Sequence, residues 1–266
     1  MARELENTAN TAIYLYGVTE KEESPGKLLG VDGLNAVHAL PCAGFFCWTS
    51  EVSRKEFADK LPANMENLDW LAEASVQHQR VVSAIARVSD ILPARFGTVF
   101  LTQPSLEADI RGKKRILEKD FSKIRGADEF GVKVFSVPPT PEPAKVSART
   151  GKDYLKAKAA LLQRKIPKKQ TLDSDFQELE RDLQSVAEET AQAGNISSGQ
   201  RGLQWQTSLL LRRSNRKKFD AILRRYAKQW ARDRQIECTG PWPPYSFVSR
   251  ADATSSSQRS ERNKNS

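Results

Sequence analysis

Histidine and cysteine are the residue types in this chain that are most able to do chemistry, and both are scarce. The two histidines, His38 and His78, lie in no metal-ligand or general-base pattern with nearby Cys or Asp. The three cysteines, Cys42, Cys47 and Cys238, fit reduced core thiols better than a disulfide framework or a zinc site. Common phosphate, dinucleotide, serine-hydrolase and zinc-protease motifs do not occur. The sequence therefore predicts no catalytic site, no cofactor and no metal.

Arg95, in the apolar stretch LPARFGT (residues 92–98), is the remaining candidate for binding chemistry. An arginine among apolar neighbours can form a bidentate bond to an anionic ligand. An internal carboxylate is the alternative partner, either Asp90 or Glu129. We expect the internal pairing and therefore a structural role for Arg95.

The composition is that of a soluble globular protein. The chain has 266 residues, of which 39% are hydrophobic and 28% charged, enough to bury a core. No apolar run approaches the roughly 18 residues that a membrane span needs. The first residues also lack the basic and then apolar layout of a signal peptide. We expect a cytoplasmic protein without a membrane span.

Positive charge is concentrated in the second half. Residues 1–140 carry 17 basic and 19 acidic side chains, and residues 141–266 carry 25 and 14, so the formal charges are −2 and +11. Such asymmetry permits a nucleic acid, an anionic membrane surface or an acidic protein as partner, and solvated helix faces also produce it. The charge alone does not choose among them.

A basic amphipathic helix is predicted in this half. Its apolar positions recur at helical spacing: Phe219, Ile222, Leu223, Tyr226 and Trp230. The basic residues that avoid this stripe are candidates for partner binding: Arg216, Lys217, Arg224, Arg225, Lys228 and Arg232. Because the aromatic residues fall on the apolar stripe, we expect buried rings and not base stacking, and so no nucleic-acid partner. A basic amphipathic helix could also lie on a membrane surface, but its apolar face is equally needed to cover the adjacent strand.

The elements that must position these residues suggest an α+β protein. The first half reads as strand, short helix, strand, strand, helix and strand, which is the order of a ferredoxin-like unit, followed by a further helix and strand up to residue 137. Prolines in residues 138–145 predict a linker. The second half predicts a helical hairpin (residues 154–162 and 176–190), a strand, the basic helix and a last strand. The predicted domains are residues 1–137 and 138–248, both ferredoxin-like, with a disordered tail at 249–266.

The segment GPWPPYSFV (residues 240–248) predicts an extended closing strap, because its prolines exclude a helix. Burying Trp242, Tyr245 and Phe247 would contribute about 1.5–3 kcal/mol for each side chain. The three rings either cover a core and lock the two domains together, or contact a partner. We expect that they cover a core.

Six segments together resemble the gas vesicle protein L/F family in the same order, from Tyr14 to Val248. They are YLYGV (14–18), NLDWLAEASVQHQRVV (67–82), LPARFGTVF (92–100), EFGVKVF (129–135), GKDYL (151–155) and GPWPPYSFV (240–248). The family's structural signature falls on Arg95, Phe96, Gly97, Trp242, Pro243, Pro244, Tyr245 and Phe247. Phe130 stands where the family commonly has tryptophan, and residues 249–266 extend beyond its usual end.

The resemblance implies a non-enzymatic accessory protein of gas vesicle formation. Members are minor vesicle components or assembly factors that contact the major hydrophobic shell protein and other accessory proteins. The expected location is the gas vesicle, in the cytoplasm. A basic nucleic-acid-binding protein or a general adaptor is the alternative that the charge distribution leaves open.

Overall fold

A computed structural model describes residues 10–137, 169–191 and 200–249. These residues form two β-sheets with their helices, and they divide into two compact units. The first unit comprises residues up to 127 together with those from 242, and the second comprises residues between 128 and 241. The α+β class predicted from the sequence is confirmed.

The sheet of the first unit is built around one central strand. Its elements are β1 (Thr11–Thr19), β2 (His38–Cys42), β3 (Phe45–Ser53), β4 (Ile91–Pro93) and β5 (Val99–Phe100). The strand order is β2-β3-β1-β4, all antiparallel, and β5 also pairs with β1. The strand predicted to follow the second helix is two short strands, β4 and β5, with Arg95 to Gly97 in the connection between them.

Helices cover this sheet through their apolar stripes. A π-helical turn (Lys55–Asp59) leads into α1 (Leu61–Glu66), α2 (Leu68–Ala86) and, after β5, α3 (Gln103–Ile124). The Asn67 side chain accepts the N–H groups of Asp69 and Trp70 and so begins α2. Val81, Val82 and Ile85 of α2 join the core that Tyr14 and Tyr16 of β1 form. Phe121 of α3 stacks on Phe45 of β3, with ring centroids 5.5 Å apart.

No helix occurs between β1 and β2, where the sequence predicts a short one. Residues 20–37 form bends, turns and one isolated bridge between Leu29 and Ala36. The segment contains Pro25, Gly26, Gly30 and Gly33, and two of these glycines have positive φ, +87° at Gly26 and +69° at Gly33. Such residues favour turns over a regular helix.

The second unit holds a four-stranded sheet with the order β7-β8-β6-β9. Its strands are β6 (Ala127–Ser136), β7 (Glu189–Ala191), β8 (Leu203–Arg212) and β9 (Arg234–Trp242), and its helices are α4 (Lys169–Gln184) and α5 (Arg216–Gln229). Phe130, Leu179, Leu209 and Phe219 belong to one buried core that joins β6, α4, β8 and α5. The helix predicted to continue to Thr190 ends at Gln184, and Thr190 lies in β7 opposite Leu209.

The units differ from the predicted domains. The division falls after residue 127 and not after 137, because β6 is a strand of the second sheet. Residues 242–248 belong to the first unit, although the sequence assigns them to the second domain. The linker at 138–145, GKDYL, the first helix of the predicted hairpin and the tail beyond residue 249 lie outside the described residues. Over the part of the chain that is described, no helix is long and apolar enough to cross a membrane.

Candidate partner-binding surface

Helix α5 is amphipathic in the way its sequence predicts. Phe219 and Tyr226 are buried, and Trp230, just after the helix, is buried with them. Tyr226 and Trp230 pack with ring centroids 4.9 Å apart. The aromatic stripe is therefore part of the core of the second unit, and its rings are not available for stacking on bases.

Arg216, at the start of α5, is held by contacts within its own unit. Its Nε donates to Asp220 Oδ1 at 2.8 Å, one helical turn away. Its guanidinium carbon lies 4.5 Å from the centroid of the Phe130 ring and 5.9 Å from that of Phe219. A guanidinium over an aromatic face is attracted by the ring quadrupole. Arg216 thus stabilises the helix against β6 and has little freedom to dock a partner.

Arg225 is also engaged inside the unit. Its guanidinium pairs with Asp182 of α4 and lies 4.9 Å from the centroid of the Tyr226 ring. The Tyr226 hydroxyl donates to the same carboxylate at 2.7 Å, and burial, followed by this hydrogen bond, raises the pKa of Tyr226 to about 12. Arg225, Tyr226 and Asp182 therefore tie α5 to α4.

Lys217, Arg224 and Lys228 form a separate, exposed face of α5. At 3.6 residues per turn, positions 217, 224 and 228 fall within about 40° of one another, opposite the buried Phe219 and Tyr226. None of these three cations forms an ion pair with another described residue. They span about 16 Å of helix, with the small, exposed Ala221 between them. We call Lys217, Arg224 and Lys228 the basic face; Arg232 is exposed in the turn beyond the helix.

The closing segment is divided between buried and exposed residues. Pro243, Pro244 and Phe247 are buried, and Phe247 is only 2% exposed. Trp242, by contrast, is 44% exposed, so the expectation that all three rings of the strap cover a core is wrong for this ring. Tyr245 is partly buried against the core of the first unit.

Two residues of α3 hold the end of the closing segment. Lys123 Nζ donates to the backbone carbonyl of Phe247 at 3.0 Å and lies 5.7 Å from the centroid of its ring. The buried Asp120 accepts both the N–H and the hydroxyl of Ser249, each at 2.8 Å. These contacts fix the segment on the first unit up to Ser249.

His78 is a buried structural polar group at which the aromatic motifs meet. Its Nδ1 lies 3.0 Å from the Tyr14 hydroxyl and its Nε2 lies 3.3 Å from the Tyr245 hydroxyl. Burial lowers the pKa of His78 to about 4, against a hydrogen bond to the Ala94 backbone that favours the charged ring. A neutral His78 thus joins β1, α2 and the closing segment.

The LPARFGT motif serves the same aromatic cluster. The Phe96 ring packs edge-on against Tyr14, Trp70 and His78, at centroid distances of 6.4, 6.1 and 5.8 Å. Gly97 has φ +79°, and its N–H donates to the Tyr14 hydroxyl at 2.9 Å. The motif is therefore a structural device of the first unit.

Arg95 itself is exposed. Neither Asp90 nor Glu129 forms an ion pair with it within the described ranges, so the expected internal carboxylate partner is not observed. Asp90 instead accepts the N–H of Gly126 at 2.9 Å.

Comparisons with known proteins agree with this arrangement. The family model described as "Gas vesicle synthesis protein GvpL/GvpF" matches residues 12–249. The chain belongs to this family. Gas vesicle protein L of Streptomyces sp. strain CB03234 is 30% identical over 72% of this chain and 75% of its own length. Gas vesicle protein F of Haloferax mediterranei is 23% identical over 89% and 92%, respectively.

Solved structures of GvpF share the fold. The crystal structure of GvpF from Anabaena sp. PCC7120 superposes with a TM-score of 0.65 at 18% identity, covering 90% of this chain and 98% of that chain. GvpF from Microcystis aeruginosa gives 0.65 at 19% identity, with 90% and 99% covered. At these identities the likeness establishes the architecture.

The titratable groups of this GvpL/GvpF chain form no metal site within the described residues. Burial raises the pKa of both the Cys42 and Cys47 thiols, so they stay protonated as core thiols do. Cys238, expected in the core, is exposed on β9. The candidate site of this protein is therefore a surface, the basic face of α5.

Proposed function

We propose that this protein is a non-enzymatic accessory factor of gas vesicle formation in the cytoplasm. It acts as a minor vesicle component or assembly factor that binds the major shell protein and other accessory proteins. Membership of the GvpL/GvpF family supports a role in gas vesicle formation. The observation that supports docking is the basic face, whose three cations are exposed and form no ion pair with the described residues.

The physical need for such a factor follows from the vesicle wall. A wall that keeps water out of a gas space must be made of subunits with a large apolar face. Such a face aggregates when it is exposed in water, unless another protein covers it or delivers it in order. An accessory protein that docks to the subunits before assembly would limit this aggregation.

The basic face would supply the electrostatic part of docking. Cations at the surface of an interface steer the approach of an acidic partner and select against basic ones, with a contribution to association rate that salt reduces. Lys217, Arg224 and Lys228 are suited to this role because internal acids do not neutralise them. Arg216 and Arg225 are less suited, since both have partners in their own unit.

Trp242 is the part of the closing segment that we propose as a partner contact. Tryptophan is enriched among residues that dominate interface energies. Trp242 is 44% exposed, whereas Tyr245 and Phe247 pack in the first unit.

We further propose that each sheet, with its helices, is a ferredoxin-like module, and that α4 is one arm of a helical hairpin inserted in the second module.

Co-purification tests the docking proposal. The full chain carrying Lys217→Glu, Arg224→Glu and Lys228→Glu would be compared with the wild type for capture of the other gas vesicle proteins when all are expressed together. A matched control is Arg111→Glu, Arg115→Glu and Lys119→Glu, which makes the same charge change on exposed positions of α3. We expect loss of partners with the basic-face variant only, and wild-type capture that weakens as salt rises.

Two results would contradict the proposal. One is undiminished capture by the basic-face variant at every salt concentration. The other is equal loss with the α3 control, which would show that net charge and not the basic face matters. A salt-sensitive gel shift of nucleic acid by the wild type, abolished in the basic-face variant, would favour the nucleic-acid alternative.

A further inference from the structure

The outer side of α2 exposes apolar side chains that the first unit does not use. Leu68 is 78% exposed and Val76 is 66% exposed, and Ala72 lies between them at the same helical spacing. The core of the first unit takes the opposite side of the helix, through Ala74 and Val81 among others. These side chains do not contribute to the core of the first unit and are available to contact a partner.

Acidic residues flank this row on the N-terminal half of the helix. Asp69 and Glu73 are exposed, and Glu66, at the end of α1, is exposed just before them. None of the three forms an ion pair with another described residue. Arg80, beyond Val76, is exposed and carries the opposite charge, so complementarity to a cationic partner is confined to the N-terminal half. We call Leu68, Asp69, Ala72, Glu73 and Val76 the acidic face.

The basic face of α5 is complementary to the acidic face in the sign of its charge and in the spacing of its charged residues. Arg224 and Lys228 are four residues apart on α5, as are Asp69 and Glu73 on α2, which corresponds to about 6 Å along each helix. Ala221 leaves a shallow place between the cations where Leu68 or Val76 can approach. Long lysine and arginine side chains also cover apolar surface with their methylene stems while their charges stay in water.

We propose that the acidic face of one molecule docks on the basic face of a second copy of the chain. The inference rests on the docking role proposed above for the basic face and names one occupant for it. The two faces are different patches, so the contact is head-to-tail: each molecule still has one free face after pairing. The protein therefore self-associates in a concentration-dependent way, and salt weakens the association.

Sedimentation velocity of the purified full chain tests the proposal in the absence of other gas vesicle proteins. We expect the mass at low salt to rise with concentration above the monomer value of 29.8 kDa and to return toward it at high salt. Two neutralising variants remove one face each: Lys217→Gln, Arg224→Gln and Lys228→Gln on α5, and Asp69→Asn and Glu73→Gln on α2. We expect each variant alone to remain monomeric.

A mixture of the two variants is the decisive sample. One variant retains a wild-type acidic face and the other a wild-type basic face, so the mixture should form a complex of one molecule of each, at about twice the monomer mass, and no larger species. Far-UV circular dichroism of each variant confirms that it is folded. A monomeric wild type at low salt, self-association that survives either variant, or a mixture that stays monomeric would each overturn the proposal.

The same variants separate this inference from the proposed function. The α2 variant should still capture gas vesicle partners, because its basic face is intact. A monomeric wild type that loses its partners only with the basic-face variant overturns self-association and leaves partner docking standing. If both variants lose self-association but neither loses partner capture, self-association stands and the docking of gas vesicle partners on the basic face is overturned.

Discussion

Phe247 and Trp242 belong to the same closing segment, but their burial predicts very different effects on stability. Phe247 is 2% exposed, and Phe247→Ala removes a buried ring and leaves a cavity, which costs about 3–5 kcal/mol. Trp242 is 44% exposed, so Trp242→Ala should cost about 1 kcal/mol or less. A difference of at least about 2 kcal/mol between the two variants is therefore expected.

Urea unfolding followed by far-UV circular dichroism measures this difference and does not depend on tryptophan fluorescence. Phe247→Leu is the control, because it keeps apolar volume near Lys123 and should cost less than about 1.5 kcal/mol. Equal costs for Trp242→Ala and Phe247→Ala would refute the division of the segment into a buried anchor and an exposed contact. So would a cost below about 1 kcal/mol for Phe247→Ala.

Two further perturbations test the aromatic cluster of the first unit. The pKa of His78 is about 4 in the folded protein and 6.5 when unperturbed, so His78 is neutral in both the folded and the unfolded state above pH 6.5, and only the unfolded state gains the proton as pH falls toward 4. The free energy of unfolding should therefore drop by up to about 3 kcal/mol between pH 6.5 and 4. In urea titrations at different pH, His78→Gln should remove that part of the pH dependence. Gly97→Ala should cost more than Gly126→Ala in the same assay, because both have positive φ but only the added methyl at position 97 meets a side chain, Leu61 Cδ2 at 3.2 Å; equal costs would contradict the crowding argument.

The sequence was most informative where one periodicity dominates. The helical stripes predict α2 and α5 with nearly correct ends, since a buried side and a solvent side give a clear 3.6-residue signal. Short or interrupted elements were less predictable. The strand expected after α2 is interrupted by the turn at Gly97, and the helix that includes Phe176 ends before β7.

The candidate surface could be predicted only in part. The basic character of α5 follows from its residue types, but the engagement of Arg225 depends on Asp182, which lies on another helix and is 43 residues away in the sequence. The burial of Phe247 and the exposure of Trp242 could not be predicted for the same reason, because each depends on which element of the fold the closing segment contacts. Spacing within one segment does not contain that information. The partners of His78 could not be predicted for the same reason, since Tyr14 and Tyr245 come from distant segments.

The role in gas vesicle formation is tested most directly by light scattering of the native cells before and after a brief pressure pulse, which collapses gas-filled vesicles. The cells would lack the gene, or carry it again as the wild type, the basic-face variant with Lys217, Arg224 and Lys228 changed to Glu, or the α3 control. We predict that deletion abolishes the pressure-sensitive signal, and that the wild type and the α3 control restore it while the basic-face variant does not. An undiminished pressure-sensitive signal in cells without the gene would contradict the requirement for this protein, and full restoration by the basic-face variant would contradict the docking role of α5.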